Sequence, residues 1–262
     1  MSLQIQYSKT IAKELGKVAV YLPGEKIQVG DIVQFPHGKG IFKIAPFGSF
    51  KKITDLKSLD ITCDITSDSE SADSYQFTSK NVVEIDTNLG GTIDTTLKKT
   101  PKGSGKLQLS FSKKGSIFFH ALECTKQSLN NIHNLESEIN DNGKQLVWDD
   151  TYLVTAVTVA KKAMVVQSTS KDFQLELGGD IKNIKSGALG LDVAANINIT
   201  KKKGSAFIKE WSDDVTVFVD VMRFKKKFFQ KDGLFDNDSL LLDNDDSYKL
   251  KLESVDLKQY LK

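Results

Sequence analysis

A stretch of strict alternation, Gly187–Thr200, constrains the fold more than any other part of the chain. Every odd position from Leu189 to Ile199 is apolar, and every even position is small or polar. Because successive side chains of a β-strand point to opposite faces, all the apolar groups fall on one face. Two interpretations remain open: a half-buried strand of an ordinary antiparallel sheet, or one membrane-crossing strand of a β-pore, for which about 9–11 residues suffice.

A second alternating stretch begins at Val83 and runs to Leu97. Val83, Ile85, Leu89, Ile93 and Leu97 share one row, and the other row consists of acidic, amide, threonine and glycine residues. Strands average about 5–6 residues, so we predict one very long strand or two strands joined near Gly90–Gly91. Together the two stretches indicate two hairpin regions, about Leu59–Phe111 and Thr151–Thr200.

Bulk composition limits the classes of protein and partner. The 262 residues are 39% apolar, which is enough for a core, and the formal net charge is only +2. A chain so close to neutral is not expected to bind nucleic acid through bulk charge, so no nucleic-acid partner is predicted. Two cysteines, Cys63 and Cys124, suit a reducing compartment. With no leader sequence and no apolar run near 18 residues, we expect a cytoplasmic protein that could enter a membrane only by strands.

Basic residues occur in clusters that have two possible meanings. Each cluster can be a solvated strand end, or the clusters together can hold an anionic membrane surface at roughly 1 kcal/mol per nearby lysine. The candidate lipid contacts are Lys98, Lys99, Lys161, Lys162, Lys201, Lys202 and Lys203.

The remaining patterns predict two helices, a loop and a separate C-terminal tail. Apolar residues four apart from Leu3 to Leu15, followed by Gly16, predict an amphipathic helix. A three-four spacing predicts another helix over Ala121–Asn140, and the polar run Ser67–Ser74 predicts an exposed loop. Residues 228–262 contain eight acidic residues and five lysines, a net −3 against +5 for residues 1–227. An acidic tail on a basic body indicates a removable cover, or a strand and helix packed permanently onto the domain.

No pattern of catalytic or metal-binding residues stands out. The three histidines, His37, His120 and His133, have neither ligand nor triad spacing. The segment Pro101–Lys106 lacks the first glycine of a phosphate-binding loop, and Leu107 stands where such a loop has Ser or Thr. We therefore expect neither an enzyme nor a bound cofactor or metal.

The order of elements resembles that of the gasdermins, most closely the compact bacterial kind. A short N-terminal helix precedes a strand at Val18–Pro23, then come an alternating region, a helix and a second alternating region led by Tyr152–Lys162. The resemblance covers residues 3–227. It implies an α+β fold, a twisted antiparallel sheet flanked by helices like the gasdermin N-terminal domain, with residues 1–227 as the pore-forming domain.

The resemblance also implies a mechanism. Gasdermins rest as soluble monomers until a protease removes a C-terminal inhibitory part; the remainder assembles into a ring and inserts two hairpins per subunit into a membrane. In bacteria the inhibitory part is a short tail, here residues 228–262, cut by a caspase-like or other protease in antiphage defence. Cleavage is expected near Lys225 to Leu242. Many bacterial members carry a lipid-modified cysteine near the N-terminus, whereas the first cysteine here is Cys63. This chain either does without the acyl group or belongs to a differently regulated branch, such as the tail-less fungal proteins.

A membrane-inserted sheet needs apolar side chains toward lipid and polar ones toward water, which assigns a facing to each row. The expected lipid-facing residues are Val83, Ile85, Leu89, Ile93, Leu97, Leu189, Leu191, Val193, Ile197 and Ile199. The expected pore-lining residues are Glu84, Asp86, Asn88, Asp94, Asp192, Asn196 and Asn198. The competing interpretation is a β-sheet binding or structural module whose rows only cover a soluble core.

Overall fold

The structure, a computed structural model, describes residues 2–21, 27–36, 45–79, 82–88, 105–142, 150–179, 181–184, 191–193, 198–227 and 249–261. Within these residues it has two α-helices and antiparallel sheets, so the α+β class expected from the sequence is confirmed. The helices are α1 (Leu3–Leu15) and α2 (Ile132–Asn142). The strands of the first half are β1 (Val18–Ala19), β2 (Asp31–Gln34), β3 (Lys51–Asp55), β4 (Ile65–Thr78), β5 (Val83–Asn88), β6 (Gly105–Phe111) and β7 (Ile117–Leu129). Those of the second half are β8 (Tyr152–Ser168), β9 (Phe173–Gly179), β10 (Ile181–Ile184), β11 (Leu191–Val193), β12 (Asn198–Lys203), β13 (Ala206–Lys227) and β14 (Lys249–Ser254).

The main sheet is built around β8. This strand pairs along its length with β13 on one side, and on the other side with β7 and, near Tyr152, with β2. Outside these lie β4 on β7, β3 on β2, and β1 and β14 on the outer edge of β13. All but three residues of β8 are buried, which explains why its sequence is rich in Val, Ala and Thr rather than alternating. The exposed position in the middle of the strand is Lys161.

The first helix forms as the sequence predicts. The Ser2 side chain accepts a hydrogen bond from the Ile5 amide, and Gly16 ends the helix in the left-handed region at φ 65°. Tyr7 and Ile11, on the apolar stripe, are buried against the main sheet.

Three clusters of buried side chains make up most of the core that the described residues form. The first, the body cluster, joins β2, α2, the start of β8, the end of β13 and β14, and includes Leu135, Tyr152 and Leu153. The second, the α1 cluster, holds Tyr7 and Ile11 against Phe119, Val165 and Phe218. The third, the second-sheet cluster, contains Leu109, Phe111, Phe118, Met164, Val166, Phe173, Leu175 and Leu177.

Two predicted elements are wrong. The helix predicted over Ala121–Asn140 is strand as far as Leu129, and only its second half belongs to α2. The error has a physical cause: β7 is buried on both faces from Ile117 to Leu122, so its sequence lacks the period of two. The loop predicted at Ser67–Ser74 lies within β4, which pairs with β7 at the edge of the described sheet; Ser67, Asp68 and Ser74 are exposed, which suits their polarity.

The described part of the C-terminal segment is packed onto the body. Strand β14 pairs antiparallel with Met222–Lys227, and Leu250 and Leu252 are buried in the body cluster. Helix α2 holds the strand in place: the Asn140 side chain accepts from the Leu250 amide (2.7 Å) and donates to the Leu250 carbonyl (3.0 Å). Glu136 Oε1 also accepts from the Leu252 amide at 2.8 Å.

Candidate membrane-inserting sheet

A second sheet joins the two alternating regions of the sequence. Its strand order is β12-β9-β6-β5, antiparallel throughout. Strands β5 and β6 come from the first region, and β9 and β12 come from the second. The β6–β9 pairing, from Gly105↔Gly179 to Phe111↔Phe173, therefore connects two regions that the sequence presents separately.

The apolar side chains of this sheet form rows across the strands. One row pairs Val83 with Phe111 and Phe111 with Phe173; the next pairs Ile85 with Leu109 and Leu109 with Leu175. Leu109, Phe173 and Leu175 are fully buried in the second-sheet cluster, and Val83 and Ile85 pack against it from the edge. Their partners in the main sheet are Phe118, Met164 and Val166. The apolar face of the second sheet is thus shielded from water by the main sheet.

The opposite face carries polar rows in the same register. Glu84 is paired with Ser110, Ser110 with Gln174, and Gln174 with Lys203. Asp86, Gln108 and Glu176 form the next row. Glu84, Asp86, Gln174 and Lys203 are exposed. The sheet is therefore amphipathic across β5, β6 and β9, whereas the exposed Lys202 of β12 lies level with the apolar Leu175.

The assigned residues of the first region lie as their alternation predicts where the structure describes them. Val83 and Ile85 are half-buried on the apolar face, and Glu84 and Asp86 are exposed on the other. Asn88 ends β5, paired with Lys106. Lying outside the described residues are Leu89, Ile93, Asp94, Leu97, Lys98 and Lys99.

The described residues of the Gly187–Thr200 stretch lie in two different sheets. Leu191, Asp192 and Val193 form β11, which pairs with β10 through Ile181↔Val193 and Ile184↔Leu191. Asn198 and Ile199 begin β12, which pairs with β9. Leu189, Asn196 and Ile197 lie outside the described residues, as do residues 228–242 of the expected cleavage region.

A register shift in β12 places Lys201 and Lys203 level with polar residues of β9 and Lys202 level with the apolar Leu175. Ile199 is paired with Leu177, but Lys201 is paired with Glu176 and Lys203 with Gln174. Strict alternation would have kept Lys201 in the row of Ile199. The irregularity between Ile199 and Lys201 instead brings Lys201 level with the polar row of Asp86 and Glu176. Lys202 and Lys203 are both exposed.

The two candidate lipid contacts in β8, Lys161 and Lys162, differ in exposure. Lys161 is exposed, but its Nζ lies 2.8 Å from Glu123 Oε2. The ammonium holds the pKa of the Glu123 carboxyl below its usual value, so both groups are charged at neutral pH. Lys162 is half-buried beside Leu122 in the register of β7 and β8. Lys161 therefore already has an acidic partner on its own sheet.

The lipid-facing residues assigned from the sequence leave out five residues that build the apolar face: Leu109, Phe111, Phe173, Leu175 and Leu177. The signal was present, because these residues alternate with polar ones as regularly as those of the Gly187–Thr200 stretch. What the sequence did not supply was the pairing of β6 with β9, without which the short alternating runs have no common face.

No group of three or more His, Cys, Asp or Glu side chains suited to a metal ion occurs among the described residues. In the same part of the chain, every helix is too short or too polar to cross a membrane.

Comparison with known proteins gives structural matches and no sequence match. No family model matches the chain, and no curated protein is similar enough in sequence to match. Nine solved chains match its structure. One is a chain of the "Cryo-EM structure of the Gasdermin A3 membrane pore", 14% identical over 95% of this chain and 99% of that chain, with a TM-score of 0.34. A TM-score this low does not establish a shared fold, so the function of this chain has to be argued from its own strands and residues.

Proposed function

We propose that this chain is a pore-forming protein of the gasdermin type, held inactive by its C-terminal segment and without a catalytic role. The observation that carries the proposal is the second sheet, in which both alternating regions meet with apolar side chains on one face and polar ones on the other. In a bilayer every backbone group must be paired within the protein, and a sheet of this pattern can direct its apolar rows to lipid and its polar rows to water. The same rows that cover the core in the soluble state would face lipid in the inserted state.

Insertion requires the described strands to lengthen. Strands β5, β6, β9 and β12 have 6, 7, 7 and 6 residues, whereas about 9–11 are needed to cross a bilayer. The sequence continues the alternation of β5 as far as Leu97 and extends that of β12 back to Leu189. The lengthened hairpins would place the ten assigned apolar residues on the lipid side and the acidic and amide residues in the lumen, which favours cations.

The two outer strands of the second sheet, as far as the structure describes it, support the proposal of ring assembly. Strand β5 carries the exposed Glu84 and Asp86, and β12 carries the exposed Lys202 and Lys203. Opposite charge on the two edges favours head-to-tail contact, in which the β5 edge of one copy meets the β12 edge of the next; such a contact closes into a ring when the rotation allows. Exposed lysines on this edge are also available to an anionic lipid surface.

The C-terminal segment is the proposed inhibitor. Its strand β14 pairs with the edge of β13 and is hydrogen-bonded to α2. Its residues Leu257, Tyr260 and Leu261 pack against Ala12, Ala45 and Phe47. A cut between Lys225 and Leu242, by a caspase-like or other protease, would separate this segment from the body. We propose a bacterial antiphage role in which the protein is cytoplasmic until cut and then kills the cell at its inner membrane.

Dye release from anionic liposomes tests the proposal. A specific protease site inserted between residues 228 and 242 leaves the chain whole until protease is added. We expect dye release only after cleavage and only when the released segment can dissociate.

Two neighbouring substitutions supply a matched control. Ile85→Asn places an amide in the apolar row and should abolish release, whereas Asp86→Asn changes the polar row and should retain it. Cleaved protein that is folded but leaves vesicles intact would contradict the pore and favour the binding module, whose buried apolar face needs no membrane.

A further inference from the structure

Backbone irregularities of the main sheet lie along one line that crosses four neighbouring strands. In β7, Glu123 has φ 49°, and in β13, Asp214 has φ 56°, both in the left-handed region that side chains other than glycine rarely adopt. The β13–β8 register shifts at the same level, between Ser212↔Lys162 and Val215↔Ala160. We call this line the crease and define it by residues 69–74 of β4, Glu123, Lys161 and residues 213–214 of β13.

The irregular positions of β4, β7 and β13 lie at the same level as Lys161 of β8. Leu122 is paired with Lys162 and Cys124 with Ala160, so Glu123 lies opposite Lys161. On the outer side of β7, the β4 register shifts between Asp68↔Lys126 and Asp73↔Cys124, and again before Tyr75↔Ala121. Because the irregularities in β4, β7 and β13 lie at the same level, we treat them as one feature of the sheet and not as separate bulges.

Charge is concentrated at the crease. The Lys161 ammonium, on the central strand, is 2.8 Å from Glu123 on one side and interacts favourably with Asp214 on the other. Lys161 and Glu123 are both exposed. Of the two residues at positive φ, Glu123 is therefore ion-paired with this lysine, and Asp214 lies within the range of its charge.

The crease lies between two of the core clusters, and among the described residues only the α1 cluster spans it. On its outer side lie Phe118, Met164, Val166, Ala206 and Ile208, the only parts of the main sheet among the described contacts of the second-sheet cluster. On its inner side lie the residues of the body cluster. The second sheet is thus attached to the outer halves of β7, β8 and β13. We call the second sheet together with these three half-strands the outer unit.

Helix α1 connects the two sides. Toward the outer unit, the Gln167 side chain donates to the Leu3 carbonyl at 3.1 Å. Toward the body, Lys17 Nζ lies 3.6 Å from Asp220 Oδ1, and the Ser8 hydroxyl accepts from the Gly48 amide at 3.0 Å. Tyr7 and Ile11 pack in a cluster that includes Phe119 and Val165 from one side and Val217 and Phe218 from the other.

We propose that the crease is a hinge on which the outer unit turns against the body, and that α1 is the brace that holds it in the bent position. Relaxation of Glu123 and Asp214 to extended backbone straightens β7 and β13 while pairing continues on either side of the crease. The proposal stands apart from membrane insertion, because the hinge acts in the full chain in solution.

Distances between spin labels on the full chain test the hinge. With Cys63→Ser and Cys124→Ala as background, labels at the exposed Lys57 and Lys113 span the crease. A pair at Lys57 and Lys258 lies within the body, and a pair at Lys113 and Lys209 lies within the outer unit. Each label is attached to a cysteine introduced by a Lys→Cys substitution at its position.

Opposite substitutions at the strained positions give opposite outcomes. Glu123→Thr with Asp214→Thr disfavours positive φ and should add a second distance population to the spanning pair alone. Glu123→Gly with Asp214→Gly permits positive φ and should keep a single population, although the ion pair is lost in both variants. The hinge is contradicted if the spanning pair stays unchanged in the folded threonine variant, or if all three pairs broaden together.

A second variant tests the brace, and also serves if the threonine variant does not fold. Ile11→Ala weakens the contact of α1 with both sides and should broaden the spanning distance. Adding the two glycine substitutions should narrow it again, because they favour the bent backbone. Broadening that the glycines do not reverse would show loss of packing without a hinge.

Discussion

At the scale of single residues, the body depends on a few polar contacts that the sequence does not reveal. Asp31 has a side chain only 2% exposed, and its carboxylate accepts from Lys52 at 2.8 Å and from the Gln28 amide at 2.9 Å. Lys52 also reaches Asp55 at 3.0 Å, so one lysine serves two carboxylates at the β2–β3 edge. Nothing in the spacing of these three residues indicates the contact, which exists only because β2 and β3 pair.

Asp55 makes stability depend on pH. The hydrogen bond from Lys52, followed by those from the hydroxyl and amide of Ser58, holds the pKa of Asp55 below its usual 3.8. A carboxyl with a lowered native pKa stabilises the fold above pH 3.8, and this contribution is lost as the pH falls through the native value. Denaturant unfolding of Asp55→Asn between about pH 2 and pH 7 should show a smaller loss of stability on acidification than the parent; an identical pH dependence would contradict the assignment.

Gly16 offers a clean test of a backbone requirement. The sequence predicts a left-handed helix end there, and the structure has φ 65°, with room for a methyl group that would meet no atom within 4 Å. Gly16→Ala should therefore lower the free energy of unfolding by about 1 kcal/mol through backbone strain alone. Ser2→Gly, which removes a capping side chain but permits the same backbone, is the comparison; an unchanged unfolding midpoint in Gly16→Ala would contradict the left-handed end.

At the scale of elements, the success of sequence-based prediction depends on whether one face of an element is exposed. Helix α1 and strand β5 each have a polar side, so the period of 3.6 or 2 is legible in the sequence. Strand β7 is buried on both faces over its first half, and its spacing imitates a helix. Strand β4 is so polar that its sequence imitates a loop, and only its pairing with β7 shows it as a strand.

The attachment of β14 to α2 predicts how the C-terminal segment can be loosened. Asn140 makes two hydrogen bonds to Leu250, so Asn140→Ala removes both without disturbing the apolar contacts of β14. Limited proteolysis followed by mass spectrometry should show faster cleavage within residues 249–261 of this variant. Asn134→Ala, at an exposed position on the same helix, should cleave at the parent rate; equal rates in all three proteins would mean that Asn140 does not hold the strand.

At the scale of the whole molecule, the sequence predicts two amphipathic regions but not that they meet. Alternation assigns each residue of a strand to a face, yet it does not say which strands are neighbours, because pairing depends on contacts between distant parts of the chain. The β6–β9 pairing and the burial of the shared apolar face under the main sheet came from the structure. We propose that the apolar rows of this face, which cover a core in the structure, face lipid after insertion.

An environment-sensitive fluorophore on neighbouring residues of β5 tests that claim most directly. The probe is attached through cysteine at position 85 or 86, in a chain with Cys63→Ser, Cys124→Ala and a cleavable linker between residues 228 and 242. After cleavage on anionic liposomes, a quencher attached to the lipid chains should quench the probe at position 85 strongly and the probe at position 86 weakly, while a water-soluble quencher that enters the lumen should do the reverse. Equal response of the two positions to both quenchers, or no response to the lipid quencher at either, would contradict the account.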